Sequence, residues 1–450
     1  MAHALQLYIF DRAGLVTSSS FDIHKEPKRF IHVITALVFA DDPTLLGYDT
    51  SIVERNGSRF ITVDGTEYQI GDPLFISDVI RGRGTVCWHA RHGNEDFVIK
   101  DTWADNSREH SVAEILHRAA GIEGVPKRMP SFRFTKARDV ELLDTIETRI
   151  HRRLVITPLC SSLPNFANRR ELLPIFIDVV TAHRDLCENK RIVHRDISVN
   201  NFMIMPPPTA SLTDQPQPPT DVAAPTADAS QAVAPSVASA PRRGIIIDFD
   251  YALIVDPDDK THKVAIGHRT GTLPFMAIQA LSLGGRLPAH EPRHDLESML
   301  YVLIWVCLHY AGPGGVERQN FDITDSSLSG WVQGDYKAIG ASKSGAMFNP
   351  DLWNDFVLTE FTPYFHPLKT CVSAWKDLLV TGNMRHAAVL QVLQEGLKAL
   401  PDKDEKWSRE NDPEGYGPDT ADADTVNARD ITTSSPVSTT LRRSGGQVVE

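Results

Sequence analysis

The residues best suited to chemistry lie on either side of a long proline-rich insertion. The segment IVHRDISVNNFMIM (192–205) precedes the insertion, and GIIIDFDYALIV (244–255) follows it. If FMIM and GIII pair as a hairpin, Asp196, Asn201 and Asp248 lie together at one end of it. Two carboxylates and a carboxamide suit a hard cation such as Mg²⁺, which takes one or two carboxylates together with substrate phosphates. Their order and spacing match phosphoryl transfer, in which one Asp serves the accepting hydroxyl while the Asn and the second Asp hold metal.

The elements that must position these residues change character along the chain. Period-two alternation around a central Asp-Gly predicts a hairpin in RFITVDGTEYQI. The same periodicity predicts further strands at 5–11, 74–80, 85–91, 95–101 and 153–160. Apolar residues at helical spacing predict helices at 27–40, 108–120, 169–188, 295–309, 350–360 and 385–399. A strand-rich first part followed by a helix-rich second part predicts an α+β protein with two lobes.

Two segments differ in composition from the rest of the chain. Residues 206–243 hold nine of the 29 prolines and no aromatic residue. Such a segment buries too little apolar surface to offset its ordering entropy, so we expect a disordered loop there and a similar disordered tail over 401–450. We expect residues 1–70 to form an N-terminal extension, which either packs on or near the small lobe or acts as an autoinhibitory element. The small lobe then spans 71–157, and the helical lobe spans 158–400.

Composition and charge exclude several classes of protein. With 46 Lys and Arg against 58 Asp and Glu, the net charge is −12, which argues against a basic surface for nucleic acid or membranes. The five cysteines include no CxxC pair, which excludes a zinc ribbon and a disulfide framework. The N-terminus lacks the apolar region of a signal peptide, and the longest apolar run, 299–308, is too short to span a bilayer. We expect an intracellular protein, cytoplasmic or nuclear, whose oligomeric state the composition does not indicate.

At the motifs around the insertion, the chain resembles the protein kinases. HRDISVNN is similar to their catalytic loop, with Asp196 as the catalytic residue, and Asp248-Phe249 is similar to the start of their metal-binding DFG motif. More specifically, HRDIS, IDFDYA, RTGTLPFMA and HDLESMLYVLIW resemble the fungal-type protein kinases. The resemblance implies a bilobal protein-kinase-like fold, ATP and Mg²⁺ as cofactors, and a protein substrate. It also implies that Asn201 and Asp248 are the metal ligands.

The same resemblance implies a set of nucleotide-binding residues. IRGRGT places Gly82 and Gly84 in the loop that covers the phosphates, where the lack of a Cβ lets backbone N–H groups approach closely. FVIK places Lys100 in the position of the catalytic lysine that grips the α- and β-phosphates. SVAEIL places Glu114 on the following helix as the ion-pair partner of that lysine. Glu109 is the rival partner, although it lies only nine residues from Lys100.

Further similarity extends through the helical part. Asp295 matches the kinase carboxylate that holds backbone amides of the catalytic loop, although an Asp at this position could instead cap its own helix. Thr272 matches a threonine that hydrogen-bonds near the catalytic Asp. Because Arg195 precedes that Asp, phosphorylation of Thr261, Thr270 or Thr272 is a candidate for ordering the segment through a phosphate–Arg contact.

Three residues depart from the kinase pattern. Ser198 stands where Ser/Thr kinases usually have a lysine that contacts the transferred phosphate, so one positive charge is missing unless Arg269 or His268 supplies it. Asp250 replaces the glycine of the DFG motif, which removes easy access to a positive φ. Gln279 replaces a glutamate, so the ion pair that anchors the end of the activation segment becomes a neutral hydrogen bond.

A second His-Arg-Asp sequence occurs in AHRDLCEN (182–189). The fifth residue after Asp185 is Lys190 rather than an asparagine, and the segment lies in a predicted helix. We therefore interpret it as an ordinary helix face.

Three functions are compatible with these residues. The first is an ATP- and Mg²⁺-dependent protein kinase acting on Ser/Thr hydroxyls. The second is a small-molecule phosphotransferase of the aminoglycoside or choline kinase type, which shares the His-x-Asp-x₄-Asn motif and a motif similar to IDFDYA. The third is a pseudokinase scaffold, an alternative raised by Ser198, Asp250 and Gln279. Of the three, RTGTLPFMA and HDLESMLYVLIW favour the protein kinase, because small-molecule kinases usually lack such a platform for a protein substrate.

Overall fold

Strands occupy most of the first part of the chain, and helices occupy most of the second. The computed structural model describes residues 3–12, 14–105, 108–128, 132–136, 149–207, 241–255, 271–282 and 290–401. The chain forms two compact units. The first comprises the described parts of Met1–Ser107 and Met129–Ile156, and the second comprises Arg108–Arg128 and the described part of Thr157–Asp419.

The first unit is built around one antiparallel sheet in the strand order β12-β9-β8-β7-β6-β5, with β11 also paired to β12. Two short strand pairs, β1 with β4 and β2 with β3, precede the sheet. The bounds are β1 Ala4–Leu5, β2 Tyr8–Phe10, β3 Leu15–Thr17, β4 Phe21–Asp22, α1 Pro27–Val38, β5 Ile52–Arg55, β6 Ser58–Val63, β7 Thr66–Ile76, β8 Val86–His92, β9 Glu95–Asp105, β11 Phe132–Lys136 and β12 Arg149–Thr157.

The predicted hairpin is confirmed as β6 and β7. Its turn residues Asp64 and Gly65 have φ of 51° and 76°, as a two-residue turn with two positive φ values requires. Alternate residues of these strands enter a core shared with β8, β9 and β12, namely Ile61, Val63, Tyr68, Ile70, Ala90, Phe97, Ile99 and Val155. Because β7 runs from Thr66 to Ile76, the predicted boundary between residues 70 and 71 lies inside a strand.

A buried ion pair links β9 to β12 in this sheet. Arg153 is fully buried, and its Nε donates to Asp101 Oδ1 at 2.6 Å while its Nη2 donates to Asp49 Oδ2 at 2.7 Å. Burial raises the pKa of Asp101, but His151 and Arg153 outweigh it and hold that pKa below its usual value. Removing one partner from such a pair costs several kcal/mol. Because Arg153 lies directly opposite Asp101, the pair favours the strand register that places Lys100 opposite Leu154.

Although α1 belongs to the first unit, the second unit carries most of the helices. Its bounds are α2 Val112–Arg118, β10 Lys127–Arg128, β13 Ser161–Ser162, α3 Arg169–Lys190, β14 Ile192–Val193, β15 Phe202–Ile204, β16 Gly244–Ile246, β17 Leu253–Ile254, α4 Ile278–Ser282, α5 Pro292–His309, α6 Tyr336–Phe348, α7 Pro350–Leu352, α8 Lys369–Val380 and α9 His386–Ala399. Strands β13, β15 and β16 form a small sheet, and β14 pairs with β17. Helix α5 is buried along most of its length, and α3 packs against α9 and β16.

The element types follow the predictions more closely than their lengths do. The helix predicted over 108–120 is restricted to Val112–Arg118, because Ser111 caps its start in a capping box with Glu114. The strand predicted over 74–80 ends at Ile76 as the last part of β7. The helix predicted over 350–360 begins as α7 and continues as a π-helical turn over Trp353–Leu358. Helices α6 and α8 had no counterpart in the prediction.

Among the described residues, no helix combines the length and the apolar character needed to cross a membrane. The predicted loop over 206–243 is described only at its ends, since 208–240 lie outside the described residues. The same holds for the predicted tail, of which only Pro401 is described.

Candidate active site

The two apolar segments that flank the insertion pair as predicted. In the antiparallel pair β15–β16, Phe202 lies opposite Ile246. Beyond this pair, Ile247 N donates to Asn201 O at 2.9 Å. Asn201 and Asp248 therefore leave the same end of the hairpin, and the predicted hairpin is confirmed.

Asp196 is held by residues from two separate segments. Asn201 Nδ2 donates to the backbone oxygen of Asp196 at 2.7 Å, and Thr272 Oγ1 donates to Asp196 Oδ1 at 3.3 Å. All but 7% of the surface of Asp196 and of Asn201 is buried. Because the amide nitrogen of Asn201 is used in this way, its Oδ1 is the atom left to accept a donor or bind a cation. Thr272 was predicted to contact this aspartate, and the contact is present.

Asp248 begins a tight turn. Its φ is 64°, and its Oδ1 accepts a hydrogen bond from Asp250 N at 3.3 Å. The positive φ thus occurs at Asp248, whereas Asp250 lies in a 3₁₀ turn over Phe249–Tyr251, where a glycine is not required. Arg108 supports the turn, since its Nη1 donates to Asp250 O and its guanidinium lies 4.5 Å from the ring centre of Tyr251.

Asp295 gathers four hydrogen-bond donors at the base of the loop that carries Asp196. Its Oδ2 accepts from His194 N at 2.9 Å, and its Oδ1 accepts from Arg195 N at 3.0 Å. His183 Nε2 and His290 Nε2 reach the same carboxylate at 2.9 and 2.8 Å. Although burial raises the pKa of Asp295, His290 and His183 hold that pKa well below its usual value. The carboxylate stabilises Arg195 at a φ of 69°, a conformation unfavourable by about 1–2 kcal/mol for a non-glycine residue.

Of the two roles predicted for Asp295, the structure supports the contact with backbone amides. The N-cap of α5 is Glu291, which forms a capping box with His294. Asp295 instead lies within the first turn of the helix, where its charge also suits the positive end of the helix dipole.

The second His-Arg-Asp sequence, at 183–185, contributes a residue to the site that no sequence pattern indicated. Asp185 lies on α3 as predicted, with Arg184 Nε donating to it at 2.9 Å, whereas His183 contacts Asp295. Burial lowers the pKa of His183, but Cys187 and Asp295 raise it to about 10. His183 contacts the Asp295 carboxylate through Nε2, and its Nδ1 lies 2.9 Å from His386 Nε2. The Cys187 sulfur lies 3.9 and 3.6 Å from the two ring nitrogens of His183. His183, His386 and Cys187 therefore form a hydrogen-bonded cluster beside Asp295.

The substitution at Gln279 gives the hydrogen bond that was predicted. Gln279 Oε1 accepts from Arg293 Nη2 at 2.8 Å and from His294 Nε2 at 2.7 Å. Burial lowers the pKa of His294 to about 4, so this imidazole is neutral at physiological pH. Gln279 thus contributes an amide oxygen, rather than a carboxylate, to the anchoring of this end of the segment.

Lys100 and Glu114 belong to different units. Lys100 lies on β9, opposite Cys87 on β8 and Leu154 on β12, and is 7% exposed. Glu114 lies on α2, where its Oε2 accepts hydrogen bonds from the backbone N and the side chain of Ser111 at 2.6 and 2.9 Å. The ion pair between Lys100 and Glu114 stays a prediction. The candidate phosphorylation sites Thr261 and Thr270, and the candidate cations His268 and Arg269, lie outside the described residues.

The predicted glycine loop is contacted by an arginine from the N-terminal hairpin. Arg12 Nη1 donates to Val79 O at 2.7 Å and to Ile80 O at 3.2 Å, and Arg12 O accepts from Gly82 N at 3.0 Å. Gly82 and Gly84 have φ of 123° and 50°, and a Cβ on Gly84 would overlap the Arg12 guanidinium. No sequence pattern indicated this contact, because 67 or more residues separate its partners.

Replacing Gly84 by alanine is expected to displace Arg12 and to loosen the loop. The positive φ disfavours alanine by about 1 kcal/mol, and the added Cβ takes the place of the guanidinium. Gly57→Ala is the matched control, since Gly57 has a φ of 74° and open space around its Cβ position. Hydrogen exchange of the 79–84 amides should accelerate several-fold in Gly84→Ala alone. Equal exchange in the two variants would show that Arg12 does not hold the loop.

Comparison with family models identifies a match over most of the chain. The model described as fungal protein kinase matches residues 1–131 and 131–307, which is more than half of the 450-residue chain. The match includes Gly82, Gly84, Lys100, Asp196 and Asp248. A search of curated proteins returned no match.

Proposed function

Because the chain belongs to the fungal protein kinase family, we propose that it is an ATP- and Mg²⁺-dependent kinase that transfers the γ-phosphoryl group to Ser/Thr hydroxyls of protein substrates. The observation that carries this proposal is the pair of hydrogen bonds that hold Asp196, one from Asn201 and one from Thr272. The first holds the backbone of Asp196 and the second orients its largely buried carboxylate, as proton transfer from an accepting hydroxyl requires.

In this reaction Asp196 orients the substrate hydroxyl and accepts its proton. Thr272 contributes by restricting rotation of the carboxylate, since its hydroxyl donates to Oδ1. The protein thereby supplies positioning, which accounts for much of the catalysis in phosphoryl transfer. Ser198 provides no positive charge for the transferred phosphoryl group. Mg²⁺ and Lys100 would therefore have to supply more of the stabilisation of its negative charge.

Asn201 and Asp248 would hold Mg²⁺. Both offer oxygen ligands, which this cation prefers, and the contact of the Asn201 nitrogen with Asp196 leaves Oδ1 as the ligand atom. The donor set therefore fits the metal that the family implies. When bound, Mg²⁺ neutralises phosphate charge.

In the first unit, Gly82 and Gly84 would cover the phosphates of ATP, and Lys100 would grip its α- and β-phosphates with Glu114 as ion-pair partner. We propose that the two units are the small and large lobes of a protein-kinase-like fold. The support for this assignment is the five-strand run β5–β9 in the first unit, the burial of α5 in the second, and the family match.

A transfer assay tests the proposal. Purified protein is incubated with γ-labelled ATP in the presence of either Mg²⁺ or EDTA. The acceptor is either a mixture of proteins or a mixture of aminoglycosides and choline. We expect Mg²⁺-dependent label on Ser and Thr, reduced about 10²–10⁴-fold in Asp196→Asn. Label on the small molecules alone would favour a small-molecule phosphotransferase. Equal background in the wild type and Asp196→Asn would leave only a scaffold role.

A further inference from the structure

A fully buried lysine lies beneath the segment that contains Thr272. Lys343 is on α6, and its ammonium donates to Pro274 O at 2.7 Å and to Met276 O at 2.8 Å, with Leu273 O at 3.5 Å. Three carbonyl oxygens within four residues thus point towards one nitrogen. A buried ammonium is costly unless its hydrogen bonds are satisfied, and here backbone oxygens of a single short segment satisfy them.

Aromatic rings complete the environment of the ammonium. Lys343 Nζ lies 4.0 Å from the ring centre of Tyr301 and 5.9 Å from that of Trp331. Burial lowers the pKa of Lys343 to about 7, against the attraction of Glu297. The carbonyl dipoles and the faces of the aromatic rings favour the charged form, so the lysine is suited to holding those carbonyls.

The other side of the same segment is held by Glu297 of α5. Its Oε1 accepts from Ile278 N and from Tyr301 OH, each at 2.8 Å. Met276 also packs with Leu281 and Ile339 in a small apolar core shared with α6. The backbone from Leu273 to Ile278 is therefore held at both ends by two buried side chains, a lysine and a glutamate.

The residue immediately before this stretch contacts the proposed catalytic aspartate, because Thr272 Oγ1 donates to Asp196 Oδ1. A shift of the Leu273–Met276 carbonyls would carry Thr272 with it. We propose that Lys343 is a positioning residue: it holds the 272–278 backbone so that Thr272 orients Asp196 and the segment presents the protein substrate. This inference rests on the proposed function, and it adds a determinant of protein-substrate use from a helix outside the catalytic motifs.

The test compares Lys343→Met with Lys337→Met, the same substitution at an exposed position of the same helix. Hydrogen exchange of the 273–278 amides is measured first and does not depend on catalysis. Turnover is then measured as phosphate transfer to protein and as hydrolysis of ATP by water. A general loss of stability lowers both rates together, whereas a displaced segment lowers transfer more than hydrolysis.

In Lys343→Met we expect faster exchange at 273–278, a decrease of about 10- to 100-fold in kcat/KM for the protein, and a KM for ATP within about twofold of the wild-type value. Lys337→Met should match the wild type in each measurement. Unchanged exchange in Lys343→Met overturns the inference while leaving the kinase proposal standing. If exchange accelerates in Lys343→Met but even the wild type shows no transfer, Lys343 holds the 272–278 backbone and the proposed function is refuted.

If Lys343→Met does not fold, the wild-type protein provides the test. Amides at 275, 276 and 278 should then exchange only through global unfolding, with protection equal to that of α5. Exchange of these amides by local opening, much faster than in α5, would show that the segment is not held and would overturn the inference.

Discussion

Replacing Asp295 by asparagine is expected to lower the free energy of unfolding by about 3–5 kcal/mol and to abolish phosphoryl transfer. The buried carboxylate accepts four hydrogen bonds, from two backbone amides and from His183 and His290. An asparagine places an NH₂ group against some of these donors and removes the negative charge that faces His183 and His290. Chemical denaturation at neutral pH measures the loss of stability.

Asp185→Asn provides the matched control, because Asp185 is a partly exposed carboxylate on α3 paired with the neighbouring Arg184. Its loss should cost no more than about 1 kcal/mol. The pKa of Asp295 is depressed, so its contribution is fully present above the ordinary Asp pKa and is lost only as the pH falls through the folded-state pKa, well below 3.8. The difference between wild type and Asp295→Asn should therefore persist from neutral pH down to about pH 4. A stability within about 1 kcal/mol of the wild type would refute the assigned role.

The part of the site that the residues themselves predict has a local pattern in the sequence. Asn201 lies five residues after Asp196, and the strands before Asp248 and after Asn201 are short apolar runs. Local pairing of such runs brings their ends together whatever the length of the insertion, since the entropic cost of closing a loop rises slowly with its length. The hairpin could therefore be predicted from its own residues, whereas the contacts of Thr272 and Asp295, whose partners lie 76 and 101 positions away, were expected only from the resemblance to the protein kinases.

The supporting residues carry no such signal. His183 and His386 are 203 positions apart, and Lys343 lies 67 or more positions from the carbonyls it binds. Each looks like an ordinary helix residue, and only tertiary packing gives it a partner. A lysine is rarely fully buried, so a sequence reading assigns Lys343 to the surface. Arg12 was missed for the same reason, because its acceptors are backbone oxygens that any sequence offers.

The second large effect is expected at Asp248. Mg²⁺ is expected to increase the affinity of the wild type for the nucleotide. In Asp248→Asn we expect this increase to be smaller by a factor of at least about ten, which corresponds to about 1.4 kcal/mol. The substitution should also abolish transfer, because an amide replaces the charged oxygen ligand that Mg²⁺ prefers. Titration with ATP, with and without Mg²⁺, gives the affinity independently of turnover.

The variant Asp196→Asn distinguishes binding of Mg²⁺–ATP from phosphoryl transfer. Asp196 is proposed to act on the hydroxyl rather than on the metal, and its backbone oxygen still accepts from Asn201 after the substitution. We therefore expect Asp196→Asn to bind Mg²⁺–ATP within about threefold of the wild type while losing about 10²–10⁴-fold in transfer. If both variants lose Mg²⁺-dependent affinity equally, the two carboxylates act as one metal site. If Asp248→Asn retains that affinity, Asp248 is not a metal ligand, and its turn, in which Asp248 has a φ of 64°, serves only to support the loop.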